Sequence, residues 1–184
     1  MARLISQIKQ GYFPTPPTIV KLIAAELVLT GSDEISILDA GCGCGTALVD
    51  LKKHLGFATA TDERIKLGSV ESDRNRCEQA IAAGVNAIWA PIEDATLDGG
   101  HCSILWANFP YDRVRGKGRT EEILFEKTRD WPATSTGLIV LIAPDYVLSD
   151  ENGDLAVALE RHYAMQGLWR FPEPEYQAFK QCVY

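Results

Sequence analysis

The sequence has no excess of positive charge, no long apolar run and no paired cysteines. Lys and Arg total 18 against 25 Asp and Glu, a formal net charge of −7 over 184 residues. That balance excludes a protein that grips nucleic acid through a broad basic face, because neutralising phosphates with Lys and Arg dominates such binding. Any nucleic-acid contact has to be local. Cys42, Cys44, Cys77, Cys102 and Cys182 are odd in number and lack C-x-x-C spacing, so neither a disulfide framework nor a metal site is expected. The opening "MARLISQIKQ" lacks the apolar stretch of a signal peptide, and the longest apolar run, "GLIVLIAP", has eight residues where a membrane span needs about 20. Internal repeats and low-complexity segments are also missing. The expectation is a soluble, cytoplasmic protein.

What is present is an alternation of strand-like and helix-like segments in a chain that is 46% apolar, enough for one well-filled core. "PPTIVKLIAAELVL" predicts a helix entered through proline, with Ile19, Leu22, Ile23 and Leu27 at helical spacing. "EISILDA" predicts a buried strand, and "KLGSVES", "NAIWA", "HCSILWA" and "GLIVLIAP" predict four more strands. Between them, "GTALVDLKKHL", "DRNRCEQAIAAG" and "TEEILFEKTRDW" predict helices, the second opened by Asp73 and closed by Gly84, the third capped by Thr120. "DLAVALERHYA" adds a helix, and "MQGLWRFP" with "FKQCVY" a closing strand pair. The run ending at Tyr184 leaves open an edge strand there or a natural end further on. Strands alternating with helices indicate an α/β protein with a mainly parallel sheet covered on both faces.

"ILDAGCGCGTAL" sets Asp39, Ala40, Gly41, Gly43 and Gly45 between a strand and a helix. Glycines there permit positive φ and close approach of a ligand to the backbone, and the helix start offers unpaired N–H groups. A tight strand-to-helix turn would need glycine whatever it binds. The spacing G-x-G-x-G departs from the dinucleotide fingerprint G-x-G-x-x-G and so speaks against NAD.

Apolar-apolar-Asp-x-Gly-x-Gly-x-Gly resembles the first motif of class I methyltransferases that use S-adenosylmethionine. That resemblance implies a Rossmann-like fold with a seven-stranded mixed sheet, its last strand antiparallel, and a single catalytic domain over residues 1–184. It implies that the loop backbone lies along the methionine part of S-adenosylmethionine, with Asp39 placing its amino group. An acid after the second strand is then expected to hold two ribose hydroxyls. Glu71, followed by Ser72 and a clear helix, is preferred. It stands about 30 residues beyond the loop where roughly 20 is usual, and Asp62 is the rival at the shorter spacing. After the third strand, Glu93 and Asp94 compete for the adenine amino group, with Pro91 or Ile92 against the ring; a solvated acidic turn is the alternative.

"QGYFPTPPTIV" is explained by its prolines as a rigid helix entrance. It also resembles the motif that precedes the glycine loop in the gamma group of amino-methylating DNA methyltransferases, which implies that Tyr12, Phe13, Thr15 and Pro16 border the cofactor. "ILWANFPYDR" completes the order of that group. Its Asn108, Phe109, Pro110 and Tyr111 resemble the Asn-Pro-Pro-Tyr motif of N6-adenine methyltransferases, with Phe109 in place of the first proline.

The chemistry suits these residue types. An exocyclic amine has its lone pair delocalised into the base, and two oxygen acceptors on its N–H groups favour the tetrahedral geometry that develops as the methyl arrives. The Asn108 side chain and the Phe109 main-chain carbonyl can supply them, and Tyr111 a stacking face. Pro110 keeps residue 109 extended. A strand-ending turn with packed aromatics is the alternative.

Next, "DRVRGKGRTEE" places Arg113, Arg115, Lys117 and Arg119 on a glycine-broken loop, either merely solvated or a local phosphate contact. The implied activity is methylation of N6 of adenine in DNA, on a base turned out of its stack. A partner subunit or a further region would read the target sequence. An RNA base or a protein glutamine amide presents the same planar amino group. A non-catalytic S-adenosylmethionine-binding subunit and a dinucleotide-dependent oxidoreductase are the remaining rivals.

Overall fold

The computed structural model describes residues 13–29, 34–55, 64–97, 99–111, 113–114, 118–149 and 154–184. Tyr12, Asp62, Arg115 and Lys117 lie outside them. Among the described residues there are nine strands: β1 (Ile35–Asp39), β2 (Ile65–Glu71), β3 (Asn86–Trp89), β4 (Ile104–Ala107), β5 (Arg113–Val114), β6 (Gly118–Arg119), β7 (Leu138–Pro144), β8 (Trp169–Arg170) and β9 (Gln181–Val183). Among the same residues there are seven α-helices: α1 (Pro17–Glu26), α2 (Thr46–His54), α3 (Arg74–Ala82), α4 (Thr120–Thr128), α5 (Asp145–Ser149), α6 (Asp154–His162) and α7 (Glu175–Phe179).

The main sheet has seven strands in the order β3-β2-β1-β4-β7-β9-β8, and β5 with β6 forms a separate pair. Strands β2, β1, β4 and β3 pair in parallel, while β9 is antiparallel to both β7 and β8. This is the expected Rossmann-like methyltransferase fold with its antiparallel last strand. β9 is not an edge strand: β8, only two residues long, takes the edge and leaves β9 inside.

Contacts cluster into two units. The first runs from Pro14 to Trp106 with Asp130–Leu138. Its strands are parallel; β4 is apolar and buried at all four positions, as coverage of both faces requires, while the edge strand β3 is mostly exposed. Ile37, Ile65 and Leu105 are buried there, with Leu48 and Leu51 of α2 one turn apart on the covered face. Pro17 stands in the first turn of α1, where its missing N–H is no loss. The buried face of α1 is Ile19, Val20, Ile23 and Ala24. Leu22 is 51% exposed and Leu27 caps the helix, so the apolar stripe lies one residue to the side of the face the spacing predicts.

The second unit contains Phe13, Ala107–Arg129 and Ile139–Tyr184. Leu141 and Ile142 of β7, Phe125 of α4, Leu155 and Leu159 of α6, and Phe171 are all buried there. Two local expectations need correction. Thr120 is the first helical residue of α4, and Arg119 is its N-cap, donating its backbone N–H to Glu122 Oε2 at 3.4 Å. The charged stretch after Tyr111 is not simply an open loop, since β5 and β6 pair with Arg113 opposite Arg119.

Candidate functional site

In the first unit, the ends of two neighbouring strands converge on the glycine loop. Asp39 closes β1, and its Oδ1 accepts the Gly41 N–H at 2.8 Å. Ser69, near the end of β2, accepts the Cys42 N–H at 3.3 Å and donates to the Asp39 carbonyl at 2.9 Å. Glu71, the last residue of β2, accepts the Gly43 N–H through Oε2 at 2.8 Å. Three successive loop N–H groups are thus tied to three side chains from neighbouring parallel strands. The register permits this, because Asp39 of β1 lies opposite Ser69 of β2.

The glycines divide the work. A Cβ on Gly41 would meet nothing within 4 Å, so the space a ligand would need is open there. Gly45 has φ +78, and a Cβ would lie 3.0 Å from Val85 Cγ2 and 3.2 Å from Ala80 of α3. The third glycine therefore serves packing rather than a ligand. Gly45→Ala is expected to destabilise the fold by about 2 kcal/mol or more, from the left-handed backbone and the overpacking together. A urea titration measures it, and an unchanged midpoint would refute the assignment.

The carboxylates differ. Asp39 is 3% exposed, and burial raises its pKa from 3.8 to about 7; the Gly41 N–H opposes the rise and the nearby Glu71 charge adds to it. Glu71 is 4% exposed and heavily committed. Its Oε1 accepts the Asp73 N–H at 2.8 Å and the Arg76 guanidinium through Nη2 at 2.9 Å and Nε at 3.2 Å. An ionised carboxylate has about four lone-pair sites. Glu71 can add one hydroxyl through Oε2, while a second requires the Arg76 fork to shift.

Asp73 caps α3 as the sequence predicts, accepting from the Arg76 N–H at 2.9 Å, and Gly84 follows the helix with φ +96. Ser72 is exposed, and its carbonyl accepts the Trp89 indole N–H at 3.0 Å. Glu93 and Asp94 both lie exposed on the short turn Ile92–Asp94 after β3. Ile92 is buried beneath that turn, which leaves exposed Pro91 as the apolar residue open to a ligand there. Thr15 is buried and Pro16 half-buried just ahead of α1, where the Pro16 carbonyl accepts from Ile19 and Val20. The Cys42 thiol is pushed up to about 12 by burial and the neighbouring Asp39, so it is no nucleophile at neutral pH. Among the described residues, no group of three His, Cys, Asp or Glu could hold a metal ion, and no helix is long and apolar enough to cross a membrane.

The second unit holds Asn108 to Tyr111, which follow directly on β4. The Asn108 amide is fixed at both ends: Nδ2 donates to the Phe13 carbonyl at 2.7 Å, and Oδ1 accepts the Tyr111 hydroxyl. The Phe13 and Tyr111 rings lie 5.4 Å apart and tilted by 30°. The Tyr111 hydroxyl also accepts from Gln181 Nε2 and lies 3.4 Å from the Ile142 carbonyl. Burial above all, with the charge of Glu121 behind it, raises the Tyr111 pKa far above its usual value, so the phenol stays protonated. Phe109 is buried and Pro110 exposed. Packing of the Phe109 ring anchors the backbone that a second proline would otherwise stiffen.

Arg119 is already engaged. Its Nη2 donates to Glu121 Oε1 at 2.7 Å, its guanidinium stands 5.0 Å from the Tyr146 ring, and Glu121 is only 1% exposed. A phosphate at Arg119 would have to compete with that buried pair. Sequence reasoning did not single out Ser69, Arg76 or Gln181. For Gln181 the available signal was a lone amide in an apolar terminal run, and for Arg76 its place one helical turn beyond Asp73.

No curated protein matches this chain. Among solved structures, a protein from Listeria monocytogenes assigned as a class I S-adenosylmethionine-dependent methyltransferase superposes with a TM-score of 0.77 at 15% identity, covering 94% of this chain and 59% of its own. The methyltransferase subunit of a type I restriction-modification system from Streptococcus thermophilus gives 0.68 at 16% identity, covering 93% and 44%. A modification subunit assigned to a type I restriction enzyme from Vibrio vulnificus gives 0.67 at 16% identity, covering 95% and 44%. This chain thus spans between two-fifths and three-fifths of the length of these structures, and at such identities the likeness is one of fold. A family model described as the uncharacterised methyltransferase family DUF6094 matches residues 1–184, and the chain belongs to that methyltransferase family.

Proposed function

We propose that this chain, acting as one catalytic domain, transfers the methyl group of S-adenosylmethionine to a planar exocyclic amine, by preference N6 of adenine in DNA. The observation that carries this reading is the doubly anchored Asn108 amide, which follows the strand paired beside β1, in a member of a methyltransferase family. The residues of the glycine loop fit the cofactor. Open space over Gly41 admits its methionine part, the buried Asp39 carboxylate suits an ammonium group, and Glu71 has a lone pair left for a ribose hydroxyl. S-adenosylmethionine, when bound, supplies an electrophilic methyl carbon on a sulfonium. Everything else falls to the chain: Asn108 Oδ1 and the Phe109 carbonyl accept the two amine hydrogens, and Tyr111 supplies an aromatic face for the base. The Tyr111 hydroxyl already donates to Oδ1, and the amine hydrogen joins it at that oxygen.

DNA is preferred on the likeness to the two restriction-modification subunits, each of which serves in a larger assembly by its description. A partner subunit or a further region is accordingly the proposed source of target recognition, with Arg113, Arg115, Lys117 and Arg119 as local phosphate contacts. The test is incubation with labelled S-adenosylmethionine and DNA, RNA and protein acceptors. Label in DNA, recovered as N6-methyladenine on nucleoside digestion, is expected. Label in RNA or protein alone would move the substrate class. Calorimetric binding of the cofactor with no transfer to any acceptor would make this a non-catalytic binding subunit, and binding of NAD in its place would overturn the cofactor.

A further inference from the structure

Gln181 is a polar residue in an apolar strand end, 4% exposed, and β9 carries it into the second unit beside Tyr111. Its side chain completes an unbroken path: Gln181 Nε2 to the Tyr111 hydroxyl, that hydroxyl to Asn108 Oδ1, and Asn108 Nδ2 to the Phe13 carbonyl. The path has a direction that chemistry imposes. A backbone carbonyl only accepts, so Asn108 must turn its NH2 to Phe13, which leaves Oδ1 facing the phenol. Oδ1 only accepts, so the phenol must spend its single proton there. The phenol oxygen is then an acceptor, and Gln181 must present its NH2. Reversing Gln181 would claim the phenol proton for Oε1 and leave Asn108 Oδ1 facing a lone pair. The Ile142 carbonyl, 3.4 Å from the same hydroxyl, is a second competitor for that proton.

We propose that Gln181 is a positioning residue for methyl transfer: by donating to the Tyr111 oxygen it directs the phenol proton onto Asn108 and fixes which end of that amide is offered to the substrate amine. The proposal rests on the methyl-transfer reading above. In this role Gln181 acts through Tyr111 and Asn108, so its effect is expected on kcat and not on the affinity for either ligand.

Two nearly isosteric variants test it. Gln181→Met removes the donor but adds no competing acceptor, and is expected to lower kcat roughly 2- to 10-fold with KM for DNA and Kd for S-adenosylmethionine unchanged. Gln181→Glu, ionised, takes the phenol proton outright and is expected to lower kcat by about 10-fold or more at pH 8. A buried carboxyl titrates above its usual range, and once protonated it donates again. The Gln181→Glu deficit should therefore shrink as pH falls from 8 to 6, a profile that loss of packing cannot produce. A pH profile parallel to wild type, or a Gln181→Met variant with unaltered kcat or with raised KM, would overturn the proposal. If Gln181→Glu fails to fold, Gln181→Met decides. If wild type methylates nothing, the functional reading fails and the path is tested by itself. The Tyr111 13Cζ resonance, assigned by its loss in Tyr111→Phe, should move in either Gln181 variant. It should stay put in Gln177→Glu, an exposed control on α7. An unmoved resonance in the Gln181 variants removes the path.

Discussion

Asn108→Ala is expected to lower methyl transfer by about 10²- to 10³-fold, the cost typical of removing one pre-aligned group that stabilises a transition state. Affinity for S-adenosylmethionine should not change, because the Asp39, Ser69 and Glu71 contacts to the glycine loop involve no atom of Asn108. The alanine removes more than an acceptor. It frees the Tyr111 hydroxyl and leaves the Phe13 carbonyl without the 2.7 Å donor that ties it to the end of β4. Asn108→Asp separates these effects. It keeps an acceptor toward Tyr111 but sets a carboxylate oxygen against the Phe13 carbonyl, so it should lose activity too while retaining the Tyr111 contact. Steady-state kinetics on DNA with calorimetry for the cofactor measure both variants. Unchanged label transfer in Asn108→Ala would sink the clamp.

The elements that sequence could foretell are those whose pattern repeats over several residues. β4 and β7 are apolar without interruption because a parallel sheet covers both faces, and α3 carries its own start and stop in Asp73 and Gly84. The glycine loop was legible because positive φ at Gly43 and Gly45 leaves few other residue types. Pairs of two-residue strands such as β5 with β6 carry no period, and neither does the five-residue α7. Charges misled for a related reason. "DRVRGKGRTEE" looks like a solvated run, yet Glu121 is only 1% exposed and holds Arg119. A local sequence records that a charge exists, not that a partner two residues away will accompany it into the core. Gln181 shows the same limit in the site: its partner Tyr111 is 70 residues away. Only the sheet order, which inserts the last strand between β7 and β8, reveals what its amide serves.

Affinity for S-adenosylmethionine is expected to fall about 10-fold for each pH unit below 7, and Asp39→Asn to abolish that dependence along with most of the affinity. The buried carboxyl is the cause. With its pKa raised to about 7, Asp39 is half protonated at neutrality in the ligand-free chain. An ammonium group requires the ionised form, so below pH 7 binding must first expel a proton, and above pH 7 it need not. The same shift predicts the opposite trend for the unliganded fold. A carboxyl whose folded pKa lies above its unfolded 3.8 binds its proton more tightly when folded, so its contribution to stability is full below about pH 4, is lost as pH rises to about 7, and is then level. The loss is on the order of 4 kcal/mol. Asn at position 39 retains an oxygen for the Gly41 N–H and never ionises, so Asp39→Asn should be the more stable protein at pH 8 and the poorer binder of cofactor. Urea titrations at pH 5 and pH 8, paired with calorimetry at pH 6 and pH 8, measure the two trends. A destabilised Asp39→Asn chain at pH 8, or a cofactor affinity in wild type that ignores pH, would show that Asp39 serves the loop alone.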